Sequence, residues 1–154
     1  MSGVVLDGKK ISREIQEELR PRIGVLEAEG KTPGLAVILV GDNPASQIYV
    51  RNKIKACHDL GIRSFEVGPS GNISTGELIE LIRPLTDNPA VNGILVQMPL
   101  PPQIDAEAIG EFIDPMRDVD GFGTQSLGRL VQNKPAPRAC TPAGIMEMLR
   151  RYNV

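Results

Sequence analysis

Two short apolar runs limit what this chain can fold into. Leu35 to Gly41, LAVILVG, is apolar on both faces and bounded by glycines, and VNGILVQ, Val91 to Gln97, carries a second such stretch. A strand with one wet face alternates polar and apolar residues; a strand without alternation must be covered on both faces, as in a parallel sheet between helical layers. The rest of the chain supplies the cover. Apolar residues recur at helical spacing through Ile11, Ile15, Leu19, Ile23 and Leu26, with Pro21 expected to bend or interrupt the helix and EGKTPG closing it. DNPAS opens a second helix, and a strand is expected at Arg63 to Val67. Ser74 followed by Glu77 is a capping-box pattern and predicts a helix from Thr75 to Asp87, distorted at Pro84.

The prolines of MPLPP forbid further ladder bonding after the second apolar run. Asp105 is placed to cap a helix over Ala106 to Ile113, and Thr141 to cap another with Pro142 at its first position. Strands alternate with helices, so the expected fold is α/β: a three-layer α/β/α domain with a mostly parallel sheet. At 154 residues one domain is expected, and the sequence shows no internal repeat or low-complexity tract.

Several function classes are disfavoured by content. A formal net charge of -2 without blocks of like charge argues against nucleic acid or an anionic membrane as the main partner. No apolar run approaches a membrane span and the start lacks the pattern of a secretory signal, so a cytoplasmic protein with a small-molecule ligand is expected. His58 is the only histidine, and Cys57 and Cys140 stand far apart, which leaves little for a histidine triad or a zinc site.

In parallel α/β sheets ligands bind outside the carboxyl ends of the strands, which directs attention to the residues after Val40 and after Val96. On a helical wheel Ser46, Tyr49, Val50, Lys53, Cys57 and Leu60 share an arc roughly 100° wide, opposite Gln47, Arg51, Lys55, His58 and Asp59. Lys53 thus sits on the apolar side, one turn from Tyr49. A lysine there either packs its stem while the ammonium reaches the edge, or serves as a proton carrier, since burial favours the neutral amine. Gln97, at the end of the second buried strand, either terminates that strand or holds the Lys53 amine through its amide. In RDVDGFG, Asp118 and Asp120 read as a turn, or as a carboxylate that accepts paired N–H donors from a heterocycle. GFGTQS is not a dinucleotide fingerprint: Ser126 stands at the third glycine position, and neither a strand into Gly121 nor a clear helix start after it is expected. No Walker-type phosphate loop occurs.

Taken together, GLAVILVGDNPASQIYVRNKIKAC, VNGILVQMPLPP, RDVDGF and CTPAGI resemble, in order and spacing, the N-terminal catalytic domain of the bifunctional methylenetetrahydrofolate dehydrogenase/cyclohydrolase family, over almost the whole chain. The resemblance implies a site for tetrahydrofolate derivatives, in a cleft between this domain and a following NADP-binding Rossmann domain. By position it implies Tyr49 packing on the folate rings, Lys53 as the catalytic lysine, Gln97 as its hydrogen-bond partner and Asp120 as the carboxylate anchoring the pterin. Ser46, Pro99 and Leu100 are implied as further substrate contacts. The family oxidises 5,10-methylenetetrahydrofolate to the methenyl cation with NADP, then hydrolyses it to 10-formyltetrahydrofolate, and the complete enzyme is expected to be a homodimer. Two positions depart from the family pattern: Ala139 stands where proline is usual, and Ser126 where asparagine is frequent. The sequence stops at RYNV, before any Rossmann glycines, so a chain truncated ahead of the NADP-binding domain is expected. A non-catalytic module that binds folate or another chain, and an unrelated α/β enzyme of like architecture, are the rival readings.

Overall fold

The two apolar runs become neighbouring strands. In the computed structural model, which describes residues 3–154, Gly34–Ile38 (β1) is the central strand, flanked by Arg63–Val67 (β2) and Gly93–Val96 (β3), all parallel, in the order β2-β1-β3. Val37 lies opposite Glu66 on one side and Leu95 on the other. Helices Gly8–Ala28 (α1), Pro44–Leu60 (α2) and Thr75–Asp87 (α3) precede or connect the strands, and Ala106–Phe112 (α4), Thr124–Val131 (α5) and Cys140–Arg151 (α6) follow β3.

The period of two in the strands sorts their side chains into two cores. Ala36, Ile38, Val40, Ile94 and Val96 join Leu78 and Ile82 of α3, Ile109 of α4, Ile104 and Ile113 in one cluster. Val37 and Leu95 meet Val50 of α2 in the other, with Ile54 and Val119 packed against them. The sheet is therefore covered on both faces, as the unbroken apolar runs require. Full burial of a side chain such as Ile38, Leu78, Ile82 or Ile94 contributes on the order of 1.5–3 kcal/mol.

Four local expectations are corrected. α1 runs uninterrupted through Pro21, while α3 spans Thr75–Asp87 as expected, with Pro84 inside it; each proline is on the exposed side, where the missing N–H leaves one carbonyl to water. β1 ends at Ile38, not Gly41, although Leu39 and Gly41 still donate to Val67 O and Pro69 O at 3.0 Å each. α6 starts at Cys140 with Ala139 as N-cap, so Thr141 is not the cap and Pro142 lies within the first turn, where its absent N–H has no partner to lose. Ala139 has φ −49°, close to what a proline adopts, so the departure there preserves the local path. Finally, a helix does begin just after the GFG turn: α5 has Gly123 as N-cap, with no cap from that residue's own side chain.

α6 returns to α1. The Arg151 guanidinium meets Glu18 at 2.8 Å, Glu147 at 2.6 Å and Glu14 at 3.5 Å, and the Asp7 amide donates to Tyr152 Oη at 3.1 Å. Among the described residues no helix is long and apolar enough to cross a membrane.

Candidate active site

The cleft at the carboxyl edge of the sheet is built by the chain's own start and stop signals. Asn43 caps α2, its side chain accepting from the amides of Ala45 (3.0 Å) and Ser46 (3.2 Å), and Pro44 occupies the first helical position. This fixes α2 immediately after β1 and sets Lys53 over the strand ends. Gln97 follows β3 directly, and its backbone N–H donates to Ile38 O at 2.8 Å, pinning it beside the end of β1.

Across that gap the half-buried Lys53 Nζ donates to Gln97 Oε1 at 3.1 Å. The Gln97 amide is itself oriented, because Nε2 donates to Met98 O at 2.6 Å and so leaves the oxygen for the lysine. The chain leaves β1 towards β2 while β3 lies on β1's other side, so the bond spans the crevice where parallel sheets bind ligands.

A cleft of about 950 Å³ opens there, lined by Ser46, Tyr49, Lys53, Gln97, Pro99 and Asp120, with Phe122, Cys140, Thr141 and Pro142 on its far wall. Six of the seven residues singled out in the sequence converge on it. Leu100 does not: it is half-buried against the α3-side core and faces an adjoining apolar cavity of about 540 Å³, whose walls Met98, Asp120 and Phe122 share with the cleft. Tyr49 differs from the wheel in environment. Ser46, Val50 and Cys57 of its arc are buried, but Tyr49 is 64% exposed, presenting its ring to the open cleft rather than to the core.

The two aspartates of RDVDGFG have separate places. Asp118 is 5% exposed and does not line the cleft around Lys53, whereas Asp120 does. Burial pushes the Asp120 carboxyl above the usual carboxylate range, a shift opposed by the Lys53 charge and by the Cys140 thiol, and reinforced by Asp118. Cys140 Sγ sits 3.7 Å from both Asp120 Oδ1 and Val119 O; burial, followed by the neighbouring Asp120 carboxylate, raises its thiol. Cys140, Thr141 and Phe122 were not picked out as site residues in the sequence; the CTPAGI and RDVDGF motifs contain them, but as a helix start and a turn.

The arrangement offers an amine with a fixed hydrogen-bond partner, a carboxylate placed to accept from N–H groups, and an aromatic face free to stack. Among the described residues no group of three or more His, Cys, Asp and Glu side chains could hold a metal ion.

Comparison with known proteins agrees with this fold. The family model for the tetrahydrofolate dehydrogenase/cyclohydrolase catalytic domain matches residues 6–120. The bifunctional protein FolD of Solibacter usitatus is 57% identical over 150 residues, covering 97% of this chain and 49% of the relative. Among solved structures, the FolD methylenetetrahydrofolate dehydrogenase/cyclohydrolase of Campylobacter jejuni is 44% identical with a TM-score of 0.94, covering 97% of this chain and 54% of that one. The Trypanosoma brucei enzyme, solved with NADP cofactor and inhibitor, is 35% identical with a TM-score of 0.94, covering 100% and 54%. The chain spans about half the length of the relatives it matches.

Proposed function

This chain belongs to the tetrahydrofolate dehydrogenase/cyclohydrolase family, and from that premise we propose that it forms the folate-binding catalytic domain of an enzyme that oxidises 5,10-methylenetetrahydrofolate and hydrolyses the methenyl product to 10-formyltetrahydrofolate. The observation that carries the reading is the 3.1 Å contact between Lys53 Nζ and Gln97 Oε1 across the crevice at the strand ends.

Hydrolysis asks little of a protein beyond position and proton traffic. Water attacks the electrophilic methenyl carbon and its oxygen gives up both protons in turn: one is released after the addition, and the other is lost as the bond from that carbon to N5 breaks, N5 takes a proton and the formyl C=O forms on N10. Lys53 is the proton carrier: Gln97 Oε1 holds the amine in place, and its remaining substituent position is left for the substrate side. Asp120 receives N–H donors of the pterin, and its elevated affinity for a proton reflects a carboxylate kept out of bulk water until that partner arrives. Tyr49 offers its exposed ring as a stacking surface, with Ser46 and Pro99 completing the wall.

The dehydrogenase step needs a hydride acceptor, and the described residues carry no glycine fingerprint for NADP. The glycine-rich turn that opens α5, at Gly121–Gly123, gives the Gly123 amide to Asp118 Oδ2 at 2.9 Å, so a pyrophosphate there would face a carboxylate instead of free N–H groups. We assign NADP to the part of the relatives beyond the half that this chain matches, and route no step through it here.

The test is hydrolysis of 5,10-methenyltetrahydrofolate by this chain and by Lys53→Met, with folate affinity measured in parallel. Turnover above the buffer rate that vanishes in a folded Lys53→Met supports the assignment. Normal turnover in that variant overturns it, and binding without turnover in the parent favours a folate-binding module.

A further inference from the structure

The Asp118 carboxylate performs two backbone tasks at once. Its Oδ1 accepts from the Gly121 amide at 2.9 Å; its Oδ2 accepts from the Gly123 amide at 2.9 Å and from Ser126 Oγ at 3.2 Å. Gly123 is the N-cap of α5, which has no cap from its own side chain, and Ser126 lies in the first turn of that helix. A carboxylate five residues upstream of the N-cap therefore shares the capping with Glu111, whose Oε1 accepts from the Thr124 amide at 3.0 Å, where both the free amides and the helix dipole favour negative charge. At its other side Asp118 is docked on the sheet: it forms a parallel bridge to Ile94, and the Ile94 amide donates to Arg117 O at 2.7 Å. Asp118 is 5% and Ser126 2% exposed, so the bonds from Gly121 and Ser126 are buried and the one from Gly123 is partly so.

Asp120 lies between the fixed points at 118 and 121. We infer that Asp118 is the positioning residue of the site: it sets where Asp120 and Phe122 stand in the cleft by holding the turn that carries them against β3 and α5, without touching the ligand itself. This rests on the proposed function in one respect, that Asp120 contacts a folate. Ser126 is the third donor to the same carboxylate, so the residue at which this chain departs from the family pattern takes part in the anchor.

Two variants separate positioning from general stabilisation. Asp118→Asn has one side-chain acceptor where the turn presents amides to two oxygens, so whichever way the amide lies, Gly121 or Gly123 faces an NH2 group. Ser126→Ala removes one donor but leaves both turn amides bonded. In the parent, hydrogen exchange at Gly121 and Gly123 is expected to be slow. In Asp118→Asn at least one of the two is expected to exchange about tenfold faster, and the Kd for 5,10-methenyltetrahydrofolate to rise about tenfold. Ser126→Ala is expected to lower Tm while Kd stays within about twofold of the parent. Affinity unchanged in a folded Asp118→Asn, or affinity falling in step with Tm in both variants, overturns the inference. So does fast exchange at both glycines in the parent, a measurement that stands even if Asp118→Asn fails to fold. A parent that binds no reduced folate sinks the functional reading instead, and the exchange rates then judge the anchor alone: unaltered protection in Asp118→Asn refutes it.

Discussion

Gly121→Ala tests the wall of the cleft from the side opposite Asp118. Gly121 has φ +65°, and a Cβ there would lie 2.8 Å from Pro137 O and 2.9 Å from the carbonyl carbons of Pro137 and Arg138. The left-handed conformation costs a residue with a Cβ about 1–2 kcal/mol, and forcing a methyl against backbone that must shift adds about 1–3 kcal/mol. The expected loss is about 2–5 kcal/mol in urea denaturation with an unchanged m-value, a sizeable share of the roughly 5–15 kcal/mol typical of a domain. In a thermal scan this corresponds to a fall in Tm on the order of 10 °C. The only local relief is to push residues 137–139 away from the turn, which draws Cys140 off Asp120, so folate affinity is expected to fall as well. Gly128→Ala on α5 is the control: its Cβ meets nothing within 4 Å, and the exchange should stabilise the helix by about 0.5–1 kcal/mol. A Gly121→Ala chain that loses under about 1 kcal/mol would refute the close approach of the two segments.

Further outcomes follow from charge and packing. Burial makes the folded chain hold a proton on Asp120 more tightly than the unfolded chain does; the group costs nothing below the ordinary carboxylate value, and its ionised form destabilises as pH rises through the higher folded value. Asp120→Asn is therefore expected to be more stable than the parent at neutral pH while losing folate binding; a variant less stable at pH 7 by urea denaturation contradicts this. Glu147 shifts the other way, to about 2, held down by hydrogen bonds from Arg150 and Arg151. Its contribution is present above the ordinary glutamate value and is lost as pH falls towards 2, so α6 amides should lose exchange protection in that window, and Glu147→Gln should exchange alike across it. In the core, Leu78→Ala, at a fully buried site, is expected to cost about 2–5 kcal/mol in urea denaturation, and a cost below about 1 kcal/mol would mean the α3 face is not packed as described.

What could be read from the sequence was whatever rests on local pattern. β1 and β3 followed from unbroken apolar runs, the start of α3 from Ser74 and Glu77, and the meeting of Lys53 with Gln97 from a helix face and a strand end placed at the same sheet edge. What escaped depends on partners far along the chain. α5 was missed because its caps are Asp118, buried five residues before Gly123, and Glu111 of α4, and not a residue adjacent to the helix. The start of α6 was placed at Thr141 on a capping pattern that the structure does not use, since Ala139 ends the preceding segment without a side-chain cap. Helical spacing put Tyr49 on an inward arc, but inward at the first turns of α2 means towards a cleft, because β1 has already ended at Ile38. Leu100 turned into the neighbouring apolar cavity for a similar reason: position in MPLPP is a matter of sequence, and the direction its side chain takes is decided by the core below.

The most direct measurement is the rate of 5,10-methenyltetrahydrofolate hydrolysis in a four-member cycle of the parent, Lys53→Met, Gln97→Met and the double variant, each shown to be folded. If the amine moves the proton and the carboxamide acts only by holding it, Gln97→Met slows the reaction, Lys53→Met reduces it to the buffer rate, and the double variant is no slower than Lys53→Met alone. A folded Lys53→Met that keeps the parent's rate, or losses at the two positions that multiply as independent effects, would contradict the account.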